Sequence, residues 1–374
     1  MKKKIYMFLL VLLALPLLVS CETKTKKAAN PDSLVPYLDD YWVAVWADEF
    51  NGDELDMTKW SYEINDSGGG NNELQYYTDK NAIVSNGTLK IEARKERHIS
   101  RDYTSSRIVS KYKGDFKYGR VVARAKMPSG RGTWPAIWMM PTMNTYGGWP
   151  ASGEIDIMEY VGYRPNYFHS SLHTKKYNHI NGTELTSEMK VIDAENEFYT
   201  FEIIWEPGLI ESYVDGYKIA SFKYTAAFNQ EVDYHEAFPF DQEFFLIVNL
   251  AIGGNWGGAQ GVDDSIFPTA LEVDYIRVYQ KDYNYYDKEN PTKPDFVNVS
   301  TKLNNSVFWR ESSDDMGVEY YNVYVDGELY GETNLPQIRL KGLNKGTKYS
   351  IQIEAIDFTG KRSELSDPIE HVFI

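Results

Sequence analysis

The amino-acid sequence predicts an all-β protein made of antiparallel sandwiches or barrels, and three observations predict it. Apolar residues almost never recur at helical spacing. Instead, short runs rich in Val, Ile, Tyr, Trp and Thr recur at 87–93, 118–126, 198–205, 209–214, 244–251 and 271–279. Hairpin signals separate strands: Asn86-Gly87, Asp215-Gly216 and Asp326-Gly327. Many strands with no helices between them must pack sheet on sheet, or close on themselves, to bury their apolar faces.

Taken from the N-terminus, residues 1–20 read as a signal peptide. Lys2, Lys3 and Lys4 precede an apolar run from Phe8 to Val19. That run is shorter than the roughly 20 residues a bilayer span requires. Leu18-Val19-Ser20-Cys21 resembles the lipobox of bacterial lipoproteins, which implies cleavage before Cys21 and its acylation. An ordinary signal peptide is the alternative, but Cys21 is the single cysteine of the chain, which argues for the lipobox. A lone cysteine also excludes an intramolecular disulfide in an exported protein. Residues 21–36, rich in Thr, Lys, Ala, Asn, Pro and Ser, read as a flexible tether. A membrane-anchored lipoprotein at the cell surface or in the periplasm is the expectation.

Charge narrows the partners. The chain carries a net −15 with no basic cluster, which excludes nucleic acid and anionic membrane surfaces, because phosphate contacts need Lys and Arg. Membrane contact is expected only through the lipid at Cys21, and the protein is expected to act as a monomer. A hydrophobic content of 43% excludes general disorder.

The composition breaks near residues 284–295, where Asn290-Pro291-Thr292-Lys293-Pro294 reads as a linker between a large domain, 37–283, and a small one, 296–374. The small domain resembles a fibronectin type III domain. Trp309 matches its core tryptophan and Tyr349 its tyrosine corner, which implies a small immunoglobulin-like sandwich serving as a spacer.

The chemistry concentrates in Trp149-Pro-Ala-Ser-Gly-Glu154-Ile-Asp156-Ile-Met-Glu159. Its apolar residues make it a strand, and alternation puts Glu154 and Asp156 on one face. Glu159 falls on the other face unless one extra residue, Ile157 or Met158, is absorbed in a β-bulge. With the bulge, the Glu154 and Glu159 backbones stand roughly 13 Å apart, and side chains leaning inward by ~4 Å each leave about 5 Å between carboxyls. That matches the ~5–5.5 Å of retaining glycoside hydrolysis better than the ~6.5–9.5 Å of inverting enzymes. A solvated acidic face and a calcium site are the alternatives. Apolar neighbours around each acid argue against the first.

This stretch resembles the catalytic strand of glycoside hydrolase family 16, in the laminarinase-like branch that carries the extra residue. The likeness extends over Ala47-Asp48-Glu49-Phe50, Asn71-Asn72-Glu73-Leu74-Gln75-Tyr76-Tyr77, Trp134-Pro-Ala-Ile-Trp138 and Val273-Asp274-Tyr-Ile-Arg-Val-Tyr279. It implies a curved, concanavalin-like jelly roll with a cleft, Glu154 as nucleophile, Glu159 as acid/base and Asp156 as their helper. No cofactor is expected for catalysis. A structural calcium ion at Glu49, Gly87 and Asp274 is implied by the family. The implied substrate is a β-1,3- or mixed β-1,3/1,4-glucan. An endo-β-1,4-galactosidase acting on mucin O-glycan or keratan-type chains is the alternative. A glycan-binding protein that has lost catalysis is a third reading, against which all three acids are present.

Alternation over 134–140 puts Trp134 and Trp138 on one face, where indoles suit the apolar faces of pyranose rings; core packing is the other reading. Trp149 and Trp256 stand beside Gly147-Gly148 and Gly253-Gly254-Asn255, as rim loops do. His169 and His173 share a strand face. Two histidines without a third ligand make no metal site, and the family resemblance puts His173 beside Glu159. Asn72, Glu73, Arg107, Asn249 and Gln260 are candidates for binding sugar hydroxyls.

Overall fold

A computed structural model describes residues 42–224, 232–300 and 305–374. The signal peptide, the tether and Cys21 lie outside the described residues.

Two eight-stranded sheets form the large domain. The outer sheet runs in the order Tyr217–Lys223, Leu209–Val214, Tyr199–Glu206, Gly119–Lys126, Thr269–Lys281, Thr88–Ala93 and Ala82–Ser85, and Trp42–Asp48 also pairs with Thr269–Lys281. The cleft sheet runs Leu185–Lys190, Tyr167–His173, Glu154–Glu159, Thr133–Pro141, Phe244–Ile252, Arg107–Val109 and Ser61–Tyr62. Asp115–Phe116 adds a short strand against Phe244–Ile252.

Alternation builds this sandwich. Thr88–Ala93 buries every second residue, Leu89, Ile91 and Ala93, towards the other sheet. Phe244–Ile252 is buried along its whole length, as a central strand must be when both of its faces are covered. The core between the sheets gathers Leu89, Ile91, Ile137, Met139, Ile155, Phe201, Trp205, Leu246 and Ile276, all with almost no exposure. Residues on the opposite face of the cleft sheet are therefore free to form a site.

The small domain is a sandwich of a three-stranded sheet, Asp295–Ser300, Ser306–Arg310 and Gln337–Arg339, on a four-stranded one, Glu328–Thr333, Val318–Val325, Lys348–Asp357 and Ile369–Val372. Trp309 lies in its core, edge-on to Tyr321 at 5.1 Å. The Asn344 backbone N–H donates to the Tyr349 hydroxyl at 3.0 Å, which is a tyrosine-corner contact.

This domain is docked, where the sequence points to a spacer on a loose linker. Leu335 is 4% exposed and belongs to the core of the large domain, lying over Gly208. Phe358 stacks on Tyr283 at 4.2 Å and meets Tyr118 edge-on at 6.0 Å. Asn334 donates to the Tyr118 hydroxyl, and Lys341 and Arg339 reach Asp233 at 2.7 and 3.6 Å. The linker is pinned too: Tyr283–Tyr286 forms a short helix, and Asp287, 7% exposed, is paired with Lys361 at 2.7 Å. Linker composition could not reveal this, because each partner lies about 70 or more positions away in sequence.

Leu335→Ala should cost about 2–5 kcal/mol, the range for emptying a buried leucine site. Calorimetry should show the melting of the large domain displaced downward. A large-domain transition that does not move would mean that Leu335 is not part of its core.

Candidate active site

Strand Glu154–Glu159 carries the bulge. On one side Trp138 pairs with Asp156 and Ile137 with Met158, which leaves Ile157 with no opposite number. On the other side the register shifts between Asp156, opposite Ser171, and Glu159, opposite His169. Ile155, Ile157 and Met158 all point into the core with 1%, 2% and 0% exposure. Glu154, Asp156 and Glu159 consequently share the cleft face.

Each glutamate is held by an indole. Trp149 Nε1–H donates to Glu154 Oε2 at 2.6 Å, and Trp134 Nε1–H donates to Glu159 Oε1 at 3.0 Å. Trp134 was expected to face a sugar ring and Trp149 to stand in a rim loop; in the structure each also holds a carboxyl. His173 was expected near Glu159. It shares a cavity with Glu159 and favours the anion there, and the strand register sets it opposite Glu154, with Nε2 3.3 Å from Asp156 Oδ2 and 3.9 Å from Glu154 Oε1. The histidine opposite Glu159 is His169.

Burial pushes all three carboxyls up. Asp156 adds to the rise at Glu154, which is opposed by His173, by the Trp149 hydrogen bond and by Arg107. Asp156, at 2% exposure, stands well above its ordinary value through burial and then through Glu159. Glu159 is raised by burial, against the Trp134 hydrogen bond. Three acids in one buried site titrate as a set, each above its ordinary value.

The aromatic floor continues to Trp138, whose Nε1–H donates to Asn249 Oδ1 at 2.7 Å. Asn249 Nδ2 donates to the Tyr77 hydroxyl at 3.1 Å, which donates to Glu73 Oε2 at 3.0 Å; Gln75 donates to the same oxygen at 2.6 Å. Gly69, at φ +59°, closes over Glu73 so tightly that a Cβ there would lie 2.1 Å from Oε1. Asn249 and Glu73, each 5% exposed, were expected to bind hydroxyls; both line the neck between the acids, and from below they also orient Trp138. Arg107 lies over the Trp138 ring at 4.8 Å and pairs with Glu63 at 2.7 Å.

Two cavities flank the acids. One of about 430 Å³ is lined by Glu63, Arg107, Trp138, Met140, Trp149, Glu154 and His179 among others. The other, about 390 Å³, is lined by Trp134, Glu154, Glu159, His169, His173 and Trp256 among others. A neck of about 50 Å³ between them is lined by all three acids. Asn72 and Gln260 line none of these cavities. Asn72 is exposed and donates to Asn255 Oδ1 at 2.9 Å, tying two rim loops together, while Gln260 is exposed on a turn. Sequence reasoning missed Glu63, which follows a two-residue strand, and His179, which opens the single-turn helix His179–Asn181; neither segment is long enough to show periodicity.

The expected calcium site does not fit. Both Glu49 oxygens accept from Arg277, at 2.7 and 2.8 Å, and Asp274 is taken by Arg124. Carboxylates already neutralised by arginine offer a cation little.

Residues 70–277 match the family described as Glycosyl hydrolases family 16. The chain belongs to glycosyl hydrolase family 16. This family 16 chain is 48% identical over 246 residues to a beta-glucanase of Rhodothermus marinus, covering 64% of this chain and 86% of that protein. The X-ray structure of the laminarinase from Rhodothermus marinus superposes with a TM-score of 0.62 at 48% identity, covering 64% of this chain and 98% of that one. A keratan-sulfate endo-1,4-beta-galactosidase of Sphingobacterium multivorum is 35% identical over 242 residues, covering 63% of this chain and 54% of that protein. The family 16 protein is therefore a glycoside hydrolase.

Trp149→Phe removes a donor that favours the charged form of Glu154, so that carboxyl should titrate higher. The acidic limb of the pH dependence of kcat/KM should move to higher pH, by up to about one unit. A limb that stays in place would mean that the Trp149 hydrogen bond does not tune Glu154.

Proposed function

We propose that the protein is an endo-acting, retaining hydrolase of β-1,3- or mixed β-1,3/1,4-glucan. The observation that carries this reading is the position of the acids, between two cavities that can each hold a stretch of sugar chain. A chain bound on both sides of the reacting bond is cut internally.

Glu154 attacks the anomeric carbon while Glu159 gives its proton to the departing glycosidic oxygen, forming a glycosyl ester on Glu154. Glu159 then takes a proton from water, whose oxygen bonds to the anomeric carbon and frees Glu154. Burial supports the proton on Glu159 and raises Glu154 as well; Trp149, His173 and Arg107 offset part of that rise, and attack draws on the ionised fraction of Glu154. Asp156, held well above its ordinary value by burial and by Glu159, retains its proton beside Glu154.

The beta-glucanase and laminarinase relatives support a glucan as substrate. The keratan-sulfate relative, less similar over the same region, favours a second reading in which galactosyl-N-acetylglucosamine chains are cut. Glucose and galactose differ in one hydroxyl orientation, which the rim loops must read. We infer further that Cys21 is lipidated, which anchors the enzyme at the cell surface or in the periplasm. Residues 296–374 are proposed to be a fibronectin type III-like domain that holds the catalytic domain from the side.

Mass spectrometry of products from laminarin, barley mixed-linkage glucan and mucin O-glycans tests the substrate. Glucose oligomers are expected, and release only from mucin would transfer the assignment to the second reading. Azide tests the roles: Glu154→Ala should yield a glycosyl azide of α configuration and Glu159→Ala one of β configuration. The opposite pairing would overturn the assignment of the two glutamates.

A further inference from the structure

We propose that His169 recognises the leaving-group sugar by accepting a hydrogen bond from one of its hydroxyls, so that the enzyme selects leaving groups in which this hydroxyl is unsubstituted. The inference deepens the reading of the cleft as a retaining glycanase and rests on it.

The two cavities can be told apart by the acids they touch. The larger is lined by Glu154 and not by Glu159, which suits the sugars that become attached to the nucleophile. The other is lined by both glutamates. Glu159 must deliver its proton to the oxygen between the two sugars, so the departing sugar lies in this second cavity. Trp134 and Trp256, edge-on to each other at 5.5 Å, give it an aromatic wall.

His169 forms part of that cavity and has no task in the reaction described above. It stands opposite Glu159, is 8% exposed, and meets the edge of Trp256 at 5.0 Å. Its Nε2 is buried with no hydrogen-bond partner. Its Nδ1 lies 3.8 Å from Glu188 Oε2, and Glu188 is itself gripped by Arg164 through both oxygens, at 2.5 and 2.8 Å. Burial favours the neutral ring. The anionic Glu188 draws the single ring proton to Nδ1, which leaves Nε2 as a lone-pair acceptor.

An acceptor of this kind asks for an O–H. A free sugar hydroxyl supplies one, whereas an O-methyl or O-sulfo group at the same position does not. Glu184 Oε2 on the same cavity is likewise buried without a donor. The polar wall beyond Glu159 thus offers acceptors to a ligand rich in hydroxyls.

The test separates leaving groups. kcat/KM is measured on an oligosaccharide and on the p-nitrophenyl glycoside of the same sugar, whose leaving group carries no hydroxyl donor. His169→Asn keeps a polar atom only near Nδ1, and His169→Gln places an amide near Nε2. His169→Asn should lose about tenfold more on the oligosaccharide than on the aryl glycoside, the scale of one buried hydrogen bond, and His169→Gln should recover most of that difference. Equal losses on both substrates, or no loss on either, would overturn the proposal. The parent is assayed first on glucan and keratan-type oligosaccharides, and the comparison is run on whichever it cuts. A parent that cuts neither would sink the reading of the cleft itself and this inference with it.

Discussion

One extra residue in one strand sets the geometry on which the rest of the site depends. Strand Glu154–Glu159 must supply Ile155, Ile157 and Met158 to a close-packed core and three carboxyls to the opposite face. Strict alternation cannot do both, because Glu159 would then point among buried aromatic and aliphatic side chains, where an ionised group is costly. The bulge at Ile157 resolves the conflict within the strand. It also aligns Glu154 with His173 and Glu159 with His169, so the neighbours of the two glutamates follow from the same shift.

Around that strand, polar groups are used sparingly and mostly in support. Each glutamate has one oxygen held by an indole N–H. Beneath the floor, Glu73, Tyr77 and Asn249 form a buried relay that ends on Trp138. A buried relay with its members paired stiffens what it touches, whereas one unpaired member would be costly. Asn249 and Glu73, which look like sugar ligands in sequence, thus also serve as scaffolding for the floor. Tryptophans, Arg107 and histidines supply much of the cleft surface, and the indole donor on each glutamate offsets part of the cost of burying its charge.

The small domain extends the same economy to the outer part of the fold. Leu335 completes the core of the large domain, and Tyr283, Phe358 and Asp287 fix the connection that composition marks as flexible. Pro, Asn and Lys in a connecting segment describe its preferences alone; whether a far-off lysine and phenylalanine close on it is a property of the packed chain.

The all-β class, the acidic strand and the need for a bulge were legible in the chain, because they rest on alternation, turn residues and spacing within a few positions. The cleft-facing Trp134 and Trp138 were legible for the same reason. The neighbour of each acid, the hydrogen bonds that tie Asn249 and Glu73 to the floor, the ion pairs that occupy Glu49 and Asp274, and the places of His169 and His179 in the cavities were decided by the tertiary structure. These depend on register between strands and on loops meeting across the cleft, as Asn72 meets Asn255 from 183 positions away. Local pattern carries no information about such meetings, since the sheets bring them about only after each strand has formed.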